Sequence, residues 1–488
     1  MMNLHLTILI VYSLALMALG LLIGRRVRGA GDFFVAGRGL GAGLVFSTML
    51  AANIGAGSTV GATALGYANG ISAWWWVGSA GIGSIVLAFW IGPAMRRQAE
   101  AHQLRTVGDY LEHRYGSSVR ALSAGILWVG SLFILAGQLW AMGSIINAVA
   151  GTAPWMGCAI GGAVITVYFG AGGLLTSARV NVVQLAVKMI GFVVALPLAT
   201  ASVTGGLSDL LKLRPTDDYT QFWRAGSPGL STLAIIVPPF IVSPGLLQKI
   251  FGARDDRAVR AGVGLNAAGL LVFAIVPALL GMIARTQFPS LAASDSALPM
   301  LLVHSVPPLV GAIGLAAVFS AEISASDAIL FMLTTSLSRD FYQRFLNPAA
   351  DDRRVLRVAR WTAVVSGTLG ILLAIGLGSV VNALTIFYTL IGVSLFVPII
   401  AGLYVRRTSA TGALISMVAG VCAALSVHAS TGGRGWGLLT PAIAGLAAAA
   451  GVWVITLAVA PRRQVVSRAG LPPSPEASAD HRSLGEGG

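Results

Sequence analysis

The chain has 488 residues, 56% of them hydrophobic and only 10% charged, with a mean hydropathy of +0.81. So little charge cannot cover the surface of a soluble domain of this length, which excludes a soluble fold. The formal net charge of +14 is spread over seven loops. A nucleic-acid surface would gather it on one face, so it describes membrane orientation and anionic headgroups instead.

Thirteen hydrophobic stretches follow in chain order: 4–24, 41–66, 71–93, 121–150, 154–176, 182–203, 230–252, 261–284, 309–336, 361–379, 382–405, 411–430 and 437–460. Each is long enough for a hydrocarbon core of ~30 Å at ~1.5 Å per residue. An odd count puts the termini on opposite sides, and positive charge decides which. With the N-terminus outside, 26 of the 32 Lys and Arg fall on the cytoplasmic side, counting Lys249 at the inner end of its span, and five on the external side, with Lys188 inside the membrane. The first span has its arginines after it, so it reads as a retained span rather than a cleaved signal. Residues 464–488 read as a disordered cytoplasmic tail.

Two spans are interrupted. The stretch from Ser47 to Ser58 carries Asn53, Gly55 and Gly57 in its middle, and Ile235 to Ile250 carries Pro238, Pro239, Ser243, Pro244 and Gly245. In a bilayer, interrupted helices survive only where they line a protein cavity. The two breaks lie in spans of opposite direction, which is the pattern of an inverted repeat with a midplane binding site. The competing reading of Gly57 and Gly61 is close helix packing.

Several stretches, in order, resemble the sodium:solute symporter family. They are Asp32 to Arg38, Gly172-Gly173-Leu174 with Gln184, Gln248 to Asp255, Ser324 to Asp327 followed by Ser338 to Tyr342, and Gly412-Ala413. The resemblance implies an all-α integral membrane protein of 13 transmembrane helices. It implies a LeuT-type core of two inverted five-helix repeats with discontinuous first helices. Residues 1–463 would form the transporter domain, with 41–203 as first repeat, 230–405 as second, and 1–40 and 411–463 peripheral.

The resemblance also implies a Na⁺ site made by carbonyls of Ala51, Ile54 and Ala321 and the hydroxyl of Ser324. Unwound backbone suits a hard cation, because it supplies oxygens without added charge. The chain departs from the family pattern at Ala325, where a further hydroxyl is usual, and at Val180-Asn181, where Thr-Asp is common. Three charged residues fall well inside spans, away from their ends: Lys188, Glu322 and Asp327. Charges at membrane depth cost ~2.5–3.5 kcal/mol on insertion scales and are functional by default. Lys188 lies roughly 10 Å along its helix from Asn181, where its ammonium takes the cation's place in an alternative reading. The bland readings are a snorkelling Lys188 and structural roles for Glu322 and Asp327.

Asn53, Gly57, Ser58, Gln138 and Ser243 are expected to face the substrate cavity. Amides and hydroxyls beside helix termini suit a small polar or anionic solute. Trp74-Trp75-Trp76 cannot all face one way on a helix and read as an interfacial belt.

The expected function is therefore a symporter in the inner or plasma membrane. Its solute is expected to be small and organic, a monocarboxylate or an amino acid, moved by alternating access with Na⁺. The alternative is proton-coupled or Na⁺-independent transport, and a membrane sensor is the remote third. No enzyme constellation is present, and neither a cofactor beyond the coupling Na⁺ or H⁺ nor a nucleic-acid partner is expected. A reporter fused after residue 488 is expected on the cytoplasmic side. An external reporter would reverse every assignment of sides.

Overall fold

The computed structural model describes residues 4–24, 39–201, 218–224 and 229–459, together with Lys212 and Pro215. The stretch from Asp32 to Arg38 and the 464–488 tail lie outside the described residues. Among the described residues every extended element is helical. Ten helical stretches are long and apolar enough to cross a bilayer, and three shorter apolar helices, Leu4–Leu16, Ala42–Asn53 and Pro154–Thr166, accompany them.

The first half holds α1 (Leu4–Gly24), α2 (Ala42–Asn53), α3 (Ala62–Asn69), α4 (Trp74–Val86), α5 (Gly92–Ala101), α6 (Val107–Tyr115), α7 (Ser117–Ala150) and α8 (Pro154–Ala201). The second half holds α9 (Thr232–Val242), α10 (Pro244–Phe251), α11 (Asp256–Phe273), α12 (Ile275–Gln287), α13 (Ala297–His304), α14 (Pro308–Thr335), α15 (Asp352–Leu377), α16 (Val380–Tyr404), α17 (Ala410–Thr431) and α18 (Pro441–Val459). Helix α14 continues as a wider π-type turn over Ser336–Leu346.

The spans expected at 154–176 and 182–203 fall within the single element α8. Its interior has glycines but no proline before Pro197, and a glycine costs a helix only ~1 kcal/mol. By contrast, the spans expected at 361–379 and 382–405 are separate. Gly378 ends α15 at φ 60°, and the Ser379 hydroxyl accepts the Asn382 amide to start α16. Left-handed backbone there suits glycine, and serine is a strong N-cap.

Both interruptions are present. Helix α2 stops at Asn53, Ile54 turns extended, and a π-turn over Gly57–Gly61 restarts the chain into α3. Helix α9 runs through Pro238 and Pro239 and stops at Ser243, whose ψ of 126° separates it from α10. The break is therefore narrower than the run of prolines suggested. Leu40, just before α2, bonds Gly252 and Arg254 at the end of α10, at 3.0 Å each. Helix α2 starts where α10 finishes, so the broken helices run in opposite directions.

That end of the bundle carries an ionic lattice. Asp256 takes Arg96 at 2.5 Å and Arg97 at 2.6 Å. Glu112, on the short amphipathic helix α6, takes Arg120 and Arg344 at 2.5 Å each. Burial pushes the Glu112 carboxyl up, but the two guanidinium groups outweigh it and leave it below its ordinary value. This clasp is therefore fully formed above the ordinary glutamate range and lost only as pH falls through the lower, folded value.

Helices α3 and α12 touch backbone to backbone. A Cβ at Gly281 would lie 2.2 Å from the Thr63 oxygen and 2.4 Å from the Tyr67 nitrogen. Backbone cannot retreat as a side-chain tip can, so Gly281→Ala is expected to cost ~1–3 kcal/mol or more. It should lower the melting temperature in detergent. Gly376→Ala, with nothing within 4 Å of the added Cβ, should be neutral or stabilising. Equal melting of the two variants would contradict this contact.

Candidate functional site

The two breaks face one another across a central cavity of about 90 Å³. All five residues expected to face the substrate border it: Asn53, Gly57, Ser58, Gln138 and Ser243. Trp76, Lys249, Met332 and Tyr388 complete its polar and mobile lining. The expected aromatic belt needs correction here. Trp76 is buried and faces the cavity, and Trp74 and Trp75 donate to the carbonyls of Leu271 and Phe222. Three consecutive indoles on a helix point three ways, so each found a different partner.

The break in α2 leaves backbone groups that no water can satisfy, and side chains answer them. Gln138 of α7 accepts the Ala56 amide at 2.9 Å. The Ser58 hydroxyl accepts the Gly55 amide at 3.1 Å and donates to the Asn53 carbonyl at 2.9 Å. Asn53 donates to Asn266 of α11 at 3.1 Å. A Cβ at Gly55 would meet Ala325 at 2.6 Å, and one at Gly57 would meet Leu384 at 2.2 Å. Gly57 and Gly61 thus serve close packing against α16, as the competing reading had it, while Gly57 also borders the cavity.

The carbonyls expected to hold a cation hold the amino group of a lysine. Lys188 of α8 is fully buried, and its Nζ donates to the Ala51 oxygen at 2.9 Å and the Ile54 oxygen at 3.2 Å. Lys188 does not snorkel: the carbonyls at the end of α2, negative by the helix dipole, give it a nearer partner than any interface. Ser324 donates to the same Ala51 oxygen at 3.4 Å, and Ala321 is buried beside it on α14. Glu322 is fully buried, and its Oε1 accepts from the Thr59 hydroxyl at 3.0 Å. Ser320 faces elsewhere and accepts from Tyr12 of α1 at 2.7 Å.

The charged groups reaching Lys188 are Glu322, Asp327 and Lys249. Lys249 is the addition that the sequence reading missed, and with it the two lysines and two carboxyls form a formally balanced set. It sits in the second broken helix, and its Nζ donates to the Thr48 carbonyl at 3.0 Å. The signal was present, because Lys249 stands in the Gln248 to Asp255 motif within an expected span. Thr59 and Asn266 were missed for want of any periodic signal. The side chains of Gly172 to Leu174, Val180 and Asn181 lie outside the described residues.

A profile of the sodium:solute symporter family matches residues 33–420. The chain belongs to the sodium:solute symporter family. It is 24% identical over 462 residues to a sodium/glucose cotransporter of Vibrio parahaemolyticus, covering 85% of this chain and 83% of that one. It is 26% identical over 410 residues to a sodium/pantothenate symporter of Escherichia coli K12, covering 80% and 82%. In structure it resembles a substrate-bound, outward-open Na⁺-coupled sialic acid symporter, with a TM-score of 0.76 at 19% identity over 94% of this chain and 98% of that one. This symporter-family protein is thus an integral membrane transport protein and not an enzyme, with a LeuT-like helical fold.

Gln138→Leu removes one acceptor of the Ala56 amide and leaves this buried N–H to the Glu322 carboxylate alone. That costs ~1–3 kcal/mol and should lower the melting temperature. Gln138→Glu keeps an acceptor and should recover most of the loss. A Gln138→Leu protein as stable as the parent would mean that the amide finds another partner.

Proposed function

We propose that this protein carries a small organic solute by alternating access, with the Lys188 ammonium in the place of a bound Na⁺. The solute is a monocarboxylate or an amino acid. The observation that carries the coupling is the pair of bonds from Lys188 Nζ to the Ala51 and Ile54 oxygens, at 2.9 and 3.2 Å. Two unit charges ~4 Å apart at an effective dielectric of ~20 repel by about 4 kcal/mol. That is roughly a thousandfold in affinity, too much for Na⁺ to share the carbonyls. A lysine ammonium is also a cation that can leave by losing its proton, which couples transport to H⁺ without an ion changing place.

The solute class is supported by the cavity wall. Lys249 is the one Lys, Arg, Asp or Glu among its described lining residues, and the rest of its polar surface is amide, hydroxyl and indole. A carboxylate fits such a wall and a cation does not. The same reading takes 13 spans, which requires 154–176 and 182–203 to cross the bilayer separately although both fall within α8, with 41–203 and 230–405 as inverted repeats and the N-terminus outside the inner or plasma membrane.

The second reading, Na⁺ held by Ala51, Ile54, Ala321 and Ser324, is favoured by the sodium in the relatives' names. It requires Lys188 to leave the carbonyls. Uptake into proteoliposomes, measured for labelled carboxylates, amino acids, sugars and choline under imposed gradients, separates the two. The expected result is uptake unchanged when K⁺ or choline replaces Na⁺, but dependent on a pH gradient. Lys188→Ala should abolish it, and Ser324→Ala, which leaves both Lys188 bonds in place, should matter little. A steep Na⁺ dependence that survives Lys188→Ala, and a large loss in Ser324→Ala but not Ser326→Ala, would establish the second reading instead.

A further inference from the structure

Three cavities lie in file between the two breaks and the end of the bundle that carries the ionic lattice. The central one is followed by a small cavity of about 30 Å³ between Leu127, Ser131, Gln248 and Thr335. Beyond it lies one of about 220 Å³ beneath Arg120, Arg339 and Arg344. Met332 borders both the first and the second, and Thr106 borders both the second and the third.

The file follows single helix faces. On α7, Gln138 and Ile134 border the central cavity, Ser131 and Leu127 the second, and Arg120 the third. Those positions step by four, three, four and seven residues, which keeps them on one face of an α-helix. From Gln138 to Arg120 is about 27 Å at 1.5 Å per residue, close to the hydrocarbon thickness. The same order holds on α14 and its continuation: Ile329, then Met332 and Thr335, then Arg339 and Gln343. Unrelated packing voids have no reason to string along two helices in register.

Met332 closes the first junction. Its sulfur lies 3.0 Å from where a Cβ at Gly245 would stand. Gly245 follows the break at Ser243, so the thioether fills a notch in the interrupted helix itself. An unbranched, polarisable side chain with three rotatable bonds can leave such a notch without moving the backbone. Helix α10 turns Gly245 and Lys249 toward the central cavity and Pro244 and Gln248 toward the second.

We propose that the three cavities are one solute route and that Met332, seated on Gly245, is its gate. The proposal rests on the central cavity being the solute site, and not on which cation couples transport. The route ends among Asp109, Arg120, Arg339 and Arg344, where Arg120 is paired with Asp109 and Glu112 and Arg344 with Glu112.

The test is cysteine accessibility to an impermeant methanethiosulfonate applied to either side of vesicles of known sidedness. The background is Cys422→Ser, since Cys158 is buried and Cys422 exposed. Ser131→Cys should react from one side, and Ile134→Cys slowly from that same side. Adding Met332→Ala should speed Ile134→Cys at least about tenfold, and Met332→Leu should not. Gly245→Ala, which unseats the thioether without removing it, should act as Met332→Ala does and serves if that variant folds poorly. Leu132→Cys, off the stripe, should stay unreactive. Unchanged Ile134→Cys rates in both Met332→Ala and Gly245→Ala, or Leu132→Cys as fast as Ser131→Cys, would overturn the gate. These rates need no transported solute. If acetate, lactate, proline and glucose all fail to slow Ile134→Cys, the solute reading of the cavity falls, and the gate is judged on the rates alone.

Discussion

An interrupted helix inside a bilayer leaves peptide groups with neither water nor a helical partner, and the rest of this structure is arranged around supplying them. Four elements converge on the gap after Asn53. Gln138 from α7 takes the Ala56 amide, Lys188 from α8 takes the Ala51 and Ile54 carbonyls, and Ser324 from α14 adds to Ala51. Ser58 and Thr59, from the restarted turn, answer Asn53 and Gly55. An unmet amide or carbonyl there costs several kcal/mol. The break therefore exists only while these helices stay together, which makes it sensitive to their relative motion.

The charges follow from the same constraint. A lysine at this depth needs partners, and the negative end of a truncated helix provides carbonyls already oriented. Glu322 and Asp327 on α14 and Lys249 on α10 then complete a set with formally no net charge. The members come from three helices, α8, α10 and α14. Rearranging α2 against α8, α10 and α14 changes all of these contacts at once, which ties the cation's place to the state of the cavity beside it. Family membership and geometry pull apart here. Relatives are named for sodium, while this chain offers the carbonyls expected to hold a cation to its own side chain, and has Ala325 where the resemblance led to a further hydroxyl being expected.

Close packing sets what can move. The α3–α12 contact is backbone on backbone, and neither helix can slide there without clashing. The α10–α14 contact near Gly245 is instead a flexible thioether in a notch. Rigid and yielding junctions thus lie on different sides of the cavity. The Glu112 clasp, with Arg120 on one side and Arg344 on the other, joins α6 to the continuation of α14 at the mouth of the file.

By itself the sequence determined the membrane class, the bounds of most spans, both interruptions and their opposite directions, and five residues of the cavity wall. These are legible because apolar length, helix-breaking residues and the spacing of basic loops are local properties of the chain. It also determined that Lys188, Glu322 and Asp327 had to be accounted for, since a charge in an apolar span stands out. Only the tertiary structure decided that Lys188 ends on Ala51 and Ile54, 137 and 134 residues away, rather than at an interface. Only it decided that Thr59 holds Glu322, that Asn53 meets Asn266, and that Trp76 alone of three indoles faces the cavity. Such pairings depend on helix rotation and depth, which packing against distant neighbours sets and no periodicity along one helix records.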